Sequence, residues 1–119
     1  MSTLKTKITT PHLSATTAFY KTVFGLVVVE EWNEPGDQGV ILGFDDGQNE
    51  ALLEIYSGPA VRDFSGLSLQ LRVEDIEKFV TELPVDVAFE GPTPRPWGST
   101  YVYLEDPNQI QVIVYEGGW

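Results

Sequence analysis

An order of elements that occurs twice constrains this chain more than any other feature. Alternation and helical spacing read as strand, helix and three strands, then the same series again. The first helix is expected over Ser14–Phe24, where Leu13, Thr17, Tyr20 and Phe24 recur at helical spacing, with Ser14 placed to cap it and Gly25 to end it. The second is expected over Glu74–Leu83, with Ile76, Phe79, Val80 and Leu83 as its apolar stripe. Acids occupy its first turn, where the helix dipole favours them, and Pro84 stops it. Strands are expected at Leu4–Thr10, Leu26–Trp32, Gly39–Phe44, Ala51–Tyr56, Leu67–Val73, Val85–Phe89, Thr100–Leu104 and Ile110–Tyr115. The halves also match locally: Phe44-Asp45-Asp46-Gly47 pairs with Leu104-Glu105-Asp106-Pro107 60 positions on, and Leu13 with Ile76 63 positions on. A duplicated βαβββ unit explains both offsets. The expectation is one α+β domain over residues 1–119, with module one at about 1–58 and module two at about 64–119.

The chemical inventory is short. The chain has no cysteine and a single histidine, His12, which removes disulfides, thiolate nucleophiles, iron–sulfur clusters and any site needing two histidines from one chain. No Ser-His-Asp set is credible with His12 at a helix start, and no strand–loop–helix phosphate cradle is present. Seven basic residues against 18 acidic ones give a net charge of −11, which repels phosphate backbones and anionic membrane surfaces. Neither nucleic acid nor membrane is therefore an expected partner. The N-terminal residues lack an apolar stretch of signal-peptide length and no apolar run approaches the ~20 residues of a membrane span, so a cytoplasmic location is expected.

Strict alternation in Leu67-Ser68-Leu69-Gln70-Leu71-Arg72-Val73 marks a half-buried strand with one polar face. The loop Gly91-Pro92-Thr93-Pro94-Arg95-Pro96-Trp97-Gly98 is stiffened by proline and cannot be a central strand. The acidic run Glu30–Asp37 is expected to be a solvated loop.

Three segments carry a resemblance to a known family. They are Ala18-Phe19-Tyr20-Lys21-Thr22-Val23-Phe24-Gly25-Leu26, Leu69-Gln70-Leu71-Arg72-Val73-Glu74-Asp75-Ile76, and the stretch from Pro96-Trp97-Gly98 to Tyr103-Leu104-Glu105-Asp106-Pro107. In order and spacing the chain resembles, over nearly its whole length, the vicinal oxygen chelate superfamily, which includes glyoxalases, bleomycin-resistance proteins and dioxygenases. The resemblance implies two βαβββ modules forming a cup-shaped mixed sheet with helices outside, and a two-fold homodimer.

Enzymes of that superfamily generally hold a divalent metal with His, Gln and Glu side chains from the cup floor. Carried over residue by residue, the ligand positions fall on Lys5, seven residues before His12, on Ser68, seven before Asp75, on Glu54, and on Ile113, or Val112 if the preceding turn is shifted by one residue. Of these only Glu54 is a metal ligand. One carboxylate beside an ammonium, a hydroxyl and an aliphatic group is a poor chelate, so no metal and no other cofactor is expected. Lys5 and Glu54 read instead as an ion pair.

Alternation places Lys5, Lys7, Leu52, Glu54, Tyr56, Ser68, Gln70, Arg72, Gln111, Ile113 and Tyr115 toward the cup, with Trp32, Trp97, Tyr101 and Tyr103 as candidate stacking surfaces at its rim. The opposite parity (Leu53, Ile55, Leu67, Leu69, Leu71, Val112 and Val114) is apolar and belongs under the helices. The first functional expectation is a metal-independent homodimer binding a small organic molecule, similar to the drug-sequestering bleomycin-resistance proteins. An alternative is a glyoxalase- or dioxygenase-type lyase or isomerase, with Glu54 as base or lone ligand. A third is a dimeric interaction module without a ligand.

Overall fold

The computed structural model describes residues 2–60 and 63–118; Met1, Val61, Arg62 and Trp119 lie outside them. The chain divides into two compact units, Met1–Asp63 and Phe64–Trp119. The first holds β1 (Leu4–Thr10), α1 (Leu13–Phe24), β2 (Val27–Glu34), β3 (Asp37–Gly43) and β4 (Ala51–Ser57). The second holds β5 (Ser68–Arg72), α2 (Ile76–Glu82), β6 (Glu90–Pro94), β7 (Thr100–Glu105) and β8 (Gln111–Glu116). Each unit has one four-stranded mixed sheet, ordered β1-β4-β3-β2 and β5-β8-β7-β6. The topologies are identical, as a duplicated βαβββ unit requires.

In each sheet the first strand pairs in parallel with the last, and the remaining ladders are antiparallel. Side chains alternate across a strand, so this pairing sorts the sequence into two faces. In the first unit Ile8, Val40, Leu42, Leu53 and Ile55 are buried, and α1, which packs on β3 and β4, adds buried Tyr20 and Thr16. In the second, Val102, Leu104, Val112 and Val114 are buried, with Ile76 of α2. Each fully buried aliphatic side chain contributes about 1.5–3 kcal/mol. Leu69 and Leu71 are half-buried, while Leu67 is exposed: it precedes β5 in a turn, where its N–H donates to the Phe64 carbonyl at 2.9 Å.

Local chemistry sets the element ends. Gly25 closes α1 at φ 67°, a left-handed conformation that glycine adopts without steric cost, and its N–H donates to the Lys21 carbonyl at 3.1 Å. The helix starts one residue earlier than expected. His12 holds the N-cap position without a side-chain capping bond, and Ser14 lies inside the first turn rather than capping it. Asp75 caps α2, its carboxylate accepting the Lys78 N–H at 3.1 Å, and the Glu116 carboxylate accepts the Ile76 N–H at 3.0 Å. The buried Asp106 carboxylate closes the β7–β8 turn by accepting the N–H groups of Asn108 at 2.7 Å and Ile110 at 3.0 Å.

Two expectations are corrected. No strand forms over Val85–Phe89: the alternation of Val85, Val87 and Phe89 is overridden by a turn in which the Val87 N–H donates to the Pro84 carbonyl at 3.0 Å, leaving Val85 fully exposed. The strand is Glu90–Pro94 instead, overlapping the stretch Gly91–Gly98 read as a loop, and it lies at the sheet edge, where missing proline N–H groups cost least. The acidic run Glu30–Asp37 is not a loop either. It is a hairpin of β2 and β3, turning at Pro35–Gly36.

Removing the α2 cap tests this reading of the second unit. Asp75→Ala is expected to lower stability by about 1 kcal/mol in urea unfolding; an unchanged midpoint would show that the cap carries no weight.

Candidate functional site

In the first unit, register alone assembles a polar and aromatic face opposite the helix. Lys5 lies beside Leu52 and Lys7 beside Glu54 on the parallel β1–β4 ladder, and Glu54 and Tyr56 oppose Ile41 and Gly39 on β3. Lys5 Nζ is 2.8 Å from Glu54 Oε1 and Lys7 Nζ is 3.8 Å from Oε2, so each carboxylate oxygen faces an ammonium. The Glu54 side chain is only 10% exposed, whereas those of Lys5 and Lys7 are 44% and 52% exposed. The acid is thus largely removed from water, while both cations remain partly hydrated. Breaking a buried pair costs about 3–5 kcal/mol and a surface pair contributes at most about 1 kcal/mol, and this mixed arrangement falls between the two.

The face continues across the sheet. Lys7 Nζ stands 4.5 Å from the centroid of the Tyr56 ring, a cation–π contact. The Tyr56 and Trp32 rings approach to 6.5 Å over Gly39, which separates them in the ladder. A Cβ at Gly39 would come within 2.4 Å of the Trp32 ring, so only glycine leaves room for it. Asp37, two residues before Gly39 on β3, accepts the Trp32 indole N–H at 3.0 Å and the Tyr56 hydroxyl. The Asp37 carboxylate, through that hydrogen bond and its charge, holds the Tyr56 phenol above its ordinary value of 10.0, with smaller contributions from desolvation and Glu54.

The second unit builds its own face from β5, β8 and β7. Ser68 pairs with Gln111, Gln70 with Ile113 and Arg72 with Tyr115, while Tyr101 and Tyr103 lie opposite Tyr115 and Ile113. Tyr101 and Tyr103 therefore share the face of the other candidate residues. Ser68 Oγ donates to Gln111 Oε1 at 2.8 Å, Arg72 Nε donates to the Gly117 carbonyl at 2.9 Å, and Ile113 is buried. Tyr101 is the hub of an aromatic cluster, with ring centroids 5.7 Å from Trp97, 5.8 Å from Tyr103 and 5.9 Å from Tyr115. Trp97 is 51% exposed, so its ring remains open to solvent.

The positions expected from the resemblance to carry metal ligands hold donors that do not fit a divalent cation. Lys5 supplies an ammonium, Ile113 an alkyl group, and the Ser68 hydroxyl is bonded to Gln111. At Glu54 a metal would have to displace two ammonium groups. Among the described residues, no three or more His, Cys, Asp or Glu side chains gather in a group that could hold a metal ion.

Two residues of these faces escape a reading by alternation. Asp37 is hidden in an acidic run, and its one signal is the Pro35-Gly36 turn that folds it back toward Trp32. Arg95 lies in the proline-rich stretch, and its guanidinium stands 5.0 Å from the Trp97 ring centroid and 6.0 Å from that of Tyr101. Its signal is proximity in sequence to Trp97.

A family model described as the Glyoxalase/Bleomycin resistance protein/Dioxygenase superfamily matches residues 3–114. No curated protein matches the sequence. Among solved structures, lactoylglutathione lyase from Agrobacterium tumefaciens is 24% identical, with a TM-score of 0.72 over 98% of this chain and 93% of that one. TnmS3, an antibiotic binding protein from Streptomyces sp. CB03234, is 16% identical, with a TM-score of 0.80 over 99% of this chain and 97% of that one. A bleomycin-binding protein complexed with bleomycin is 20% identical, with a TM-score of 0.69 over 99% of this chain and 100% of that one. At these identities the structures establish a shared fold.

Titration reads the Asp37–Tyr56 bond directly. Tyr56 is expected to ionise above pH 10, and Asp37→Asn to bring its midpoint down, followed by NMR of 13Cζ-labelled tyrosine. Because the folded value is raised, the bond's contribution to stability is present below the ordinary tyrosine value and lost as pH rises through the folded one. An unshifted Tyr56 midpoint in the variant would contradict the assignment.

Proposed function

We propose a function from one premise: this chain belongs to the Glyoxalase/Bleomycin resistance protein/Dioxygenase superfamily. Within it, the chain is a metal-independent protein that binds and sequesters a small organic molecule, as a two-fold homodimer in the cytoplasm. The observation that carries this reading is the pairing of Glu54 with both Lys5 and Lys7, at 2.8 and 3.8 Å. The position that superfamily enzymes use for a metal ligand is spent here on an internal ion pair. What remains on the two sheet faces is binding chemistry rather than bond-making chemistry.

Each unit contributes in a different way. In the first, Trp32 and Tyr56 offer ring surface held in place by Asp37, beside the partly hydrated ammonium groups of Lys5 and Lys7. In the second, Tyr101, Tyr103, Tyr115 and Trp97 offer a larger aromatic surface edged by Ser68, Gln70 and Gln111. Aromatic pairs contribute about 0.5–1.5 kcal/mol each beyond the area they bury, so a planar ligand meeting several rings reaches useful affinity without a metal. The named structural neighbours, an antibiotic binding protein and a bleomycin-binding protein, support a role in drug sequestration.

The test is calorimetric titration of the whole chain with a panel of aromatic small molecules spanning cationic (bleomycin), neutral and anionic members, with and without EDTA. At least one member is expected to bind saturably with an affinity that EDTA leaves unchanged. Binding that disappears with EDTA and returns with Zn²⁺, Ni²⁺, Mn²⁺ or Fe²⁺ would overturn metal independence, and a panel without any saturable member would overturn the binding role. Sedimentation of the protein is expected to give twice the 13.2 kDa chain mass; a monomer would remove the homodimer from the proposal.

A further inference from the structure

We infer that the second unit carries an anion subsite at Arg95 that selects planar aromatic carboxylates. This rests on the small-molecule reading above and gives that reading a ligand class. Arg95 is the one basic side chain among the described residues that is not exposed, and it makes no ion pair or side-chain hydrogen bond with another described residue. Its Nε is buried without a partner. The other basic groups near the two faces are already engaged: Lys5 and Lys7 share Glu54, and Arg72 Nε donates to the Gly117 carbonyl. In a chain with 18 acidic residues, a guanidinium drawn partly out of water without a carboxylate partner among the described residues is an arrangement that an external carboxylate completes. Of the acids on β6, β7 and β8, Glu116 already accepts the Ile76 N–H, while Glu90 and Glu105 lie opposite Tyr103 and Gln111, away from the Arg95 end of β6.

The aromatic half of the preference comes from what lies under the charge. The guanidinium stands over Trp97 and Tyr101, whose rings meet edge to face at 5.7 Å, and Tyr101 passes the surface on to Tyr103 and Tyr115. A flat ring lying against this surface carries its carboxylate to the guanidinium, whereas a saturated ring loses the stacking and an amide loses the charge. The loop is also preorganised. The Arg95 N–H donates to the Ser99 carbonyl at 2.7 Å, the Gly98 N–H donates to the Arg95 carbonyl at 3.1 Å, and the Ser99 hydroxyl donates to the Gly118 carbonyl. Gly117 packs so closely on Gly98 that a Cβ there would lie 2.7 Å from its carbonyl oxygen. A donor held this way gives up little conformational freedom on binding.

The experiment compares 2-naphthoate, 2-naphthamide and cyclohexanecarboxylate by calorimetry on the full chain, in wild type, Arg95→Gln, Arg95→Lys and Lys78→Gln, the last at an exposed lysine of α2. Naphthoate is expected to bind about 10–100-fold more tightly than either analogue, the range of a charge-assisted hydrogen bond. Arg95→Gln is expected to bring naphthoate down to the level of naphthamide, Arg95→Lys to retain part of the preference, and Lys78→Gln to leave it intact. The NMR resonance of the Arg95 Nε–H group is expected to shift with naphthoate. Should Arg95→Gln fail to give a folded circular dichroism spectrum, the lysine variant and that resonance decide the matter. Equal affinity for acid and amide, a preference unmoved by Arg95→Gln, or one abolished by Lys78→Gln would overturn the subsite. If naphthoate does not bind while a member of the earlier panel does, the subsite fails and the binding role stands. If nothing in either set binds, both fall.

Discussion

The parallel pairing of β1 with β4 is the constraint on which the first unit depends. It aligns Lys5 with Leu52, Lys7 with Glu54 and Thr9 with Tyr56 on one face while sending Ile8, Leu53 and Ile55 to the other. A slip of one residue would expose the core and bury the lysines, so hydrophobic burial fixes the register and the register fixes the ion pair. The Lys5–Glu54–Lys7 contact is thus a consequence of where the apolar residues must go. The same holds in the second unit, where Val112 and Val114 under the sheet decide that Ile113 and Tyr115 take the opposite face.

Although the two units share a topology, their faces carry different chemistry. The first is charged, with one acid between two ammonium groups and a Trp–Asp–Tyr cluster bridging β2, β3 and β4. The second is mainly aromatic, with the Arg95 guanidinium laid over it. Duplication explains the common scaffold, and divergence at alternate strand positions explains the rest, because every second residue can change without touching the core.

Much of the fold was legible in the sequence because alternation and helix ends are local signals. Seven of the strands lie within two residues of their expected ends, and Gly25 marks the end of α1 as expected, whereas Asp75, expected inside the first turn of a helix from Glu74, is the N-cap of α2. The misreadings have a common cause: tertiary pairing overrode local pattern. Val85–Phe89 alternates but has no neighbouring strand to pair with, while Glu90–Pro94, rich in proline, finds an edge beside β7. The site was half legible. Parity placed Lys5, Glu54 and Tyr56 together, but no periodicity shows that a hairpin brings Asp37 to Tyr56, or that a loop folds Arg95 over Trp97 and Tyr101.

Whether Glu54 is a salt-bridge partner or a metal ligand is decided most directly by X-ray diffraction from crystals soaked in Zn²⁺, with data collected at the zinc absorption edge. The ion-pair reading requires Lys5 Nζ to stay within hydrogen-bonding distance of Glu54 Oε1, with no anomalous peak beside the carboxylate. An ordered zinc about 2.0–2.2 Å from Glu54, with Lys5 swung away, would contradict it.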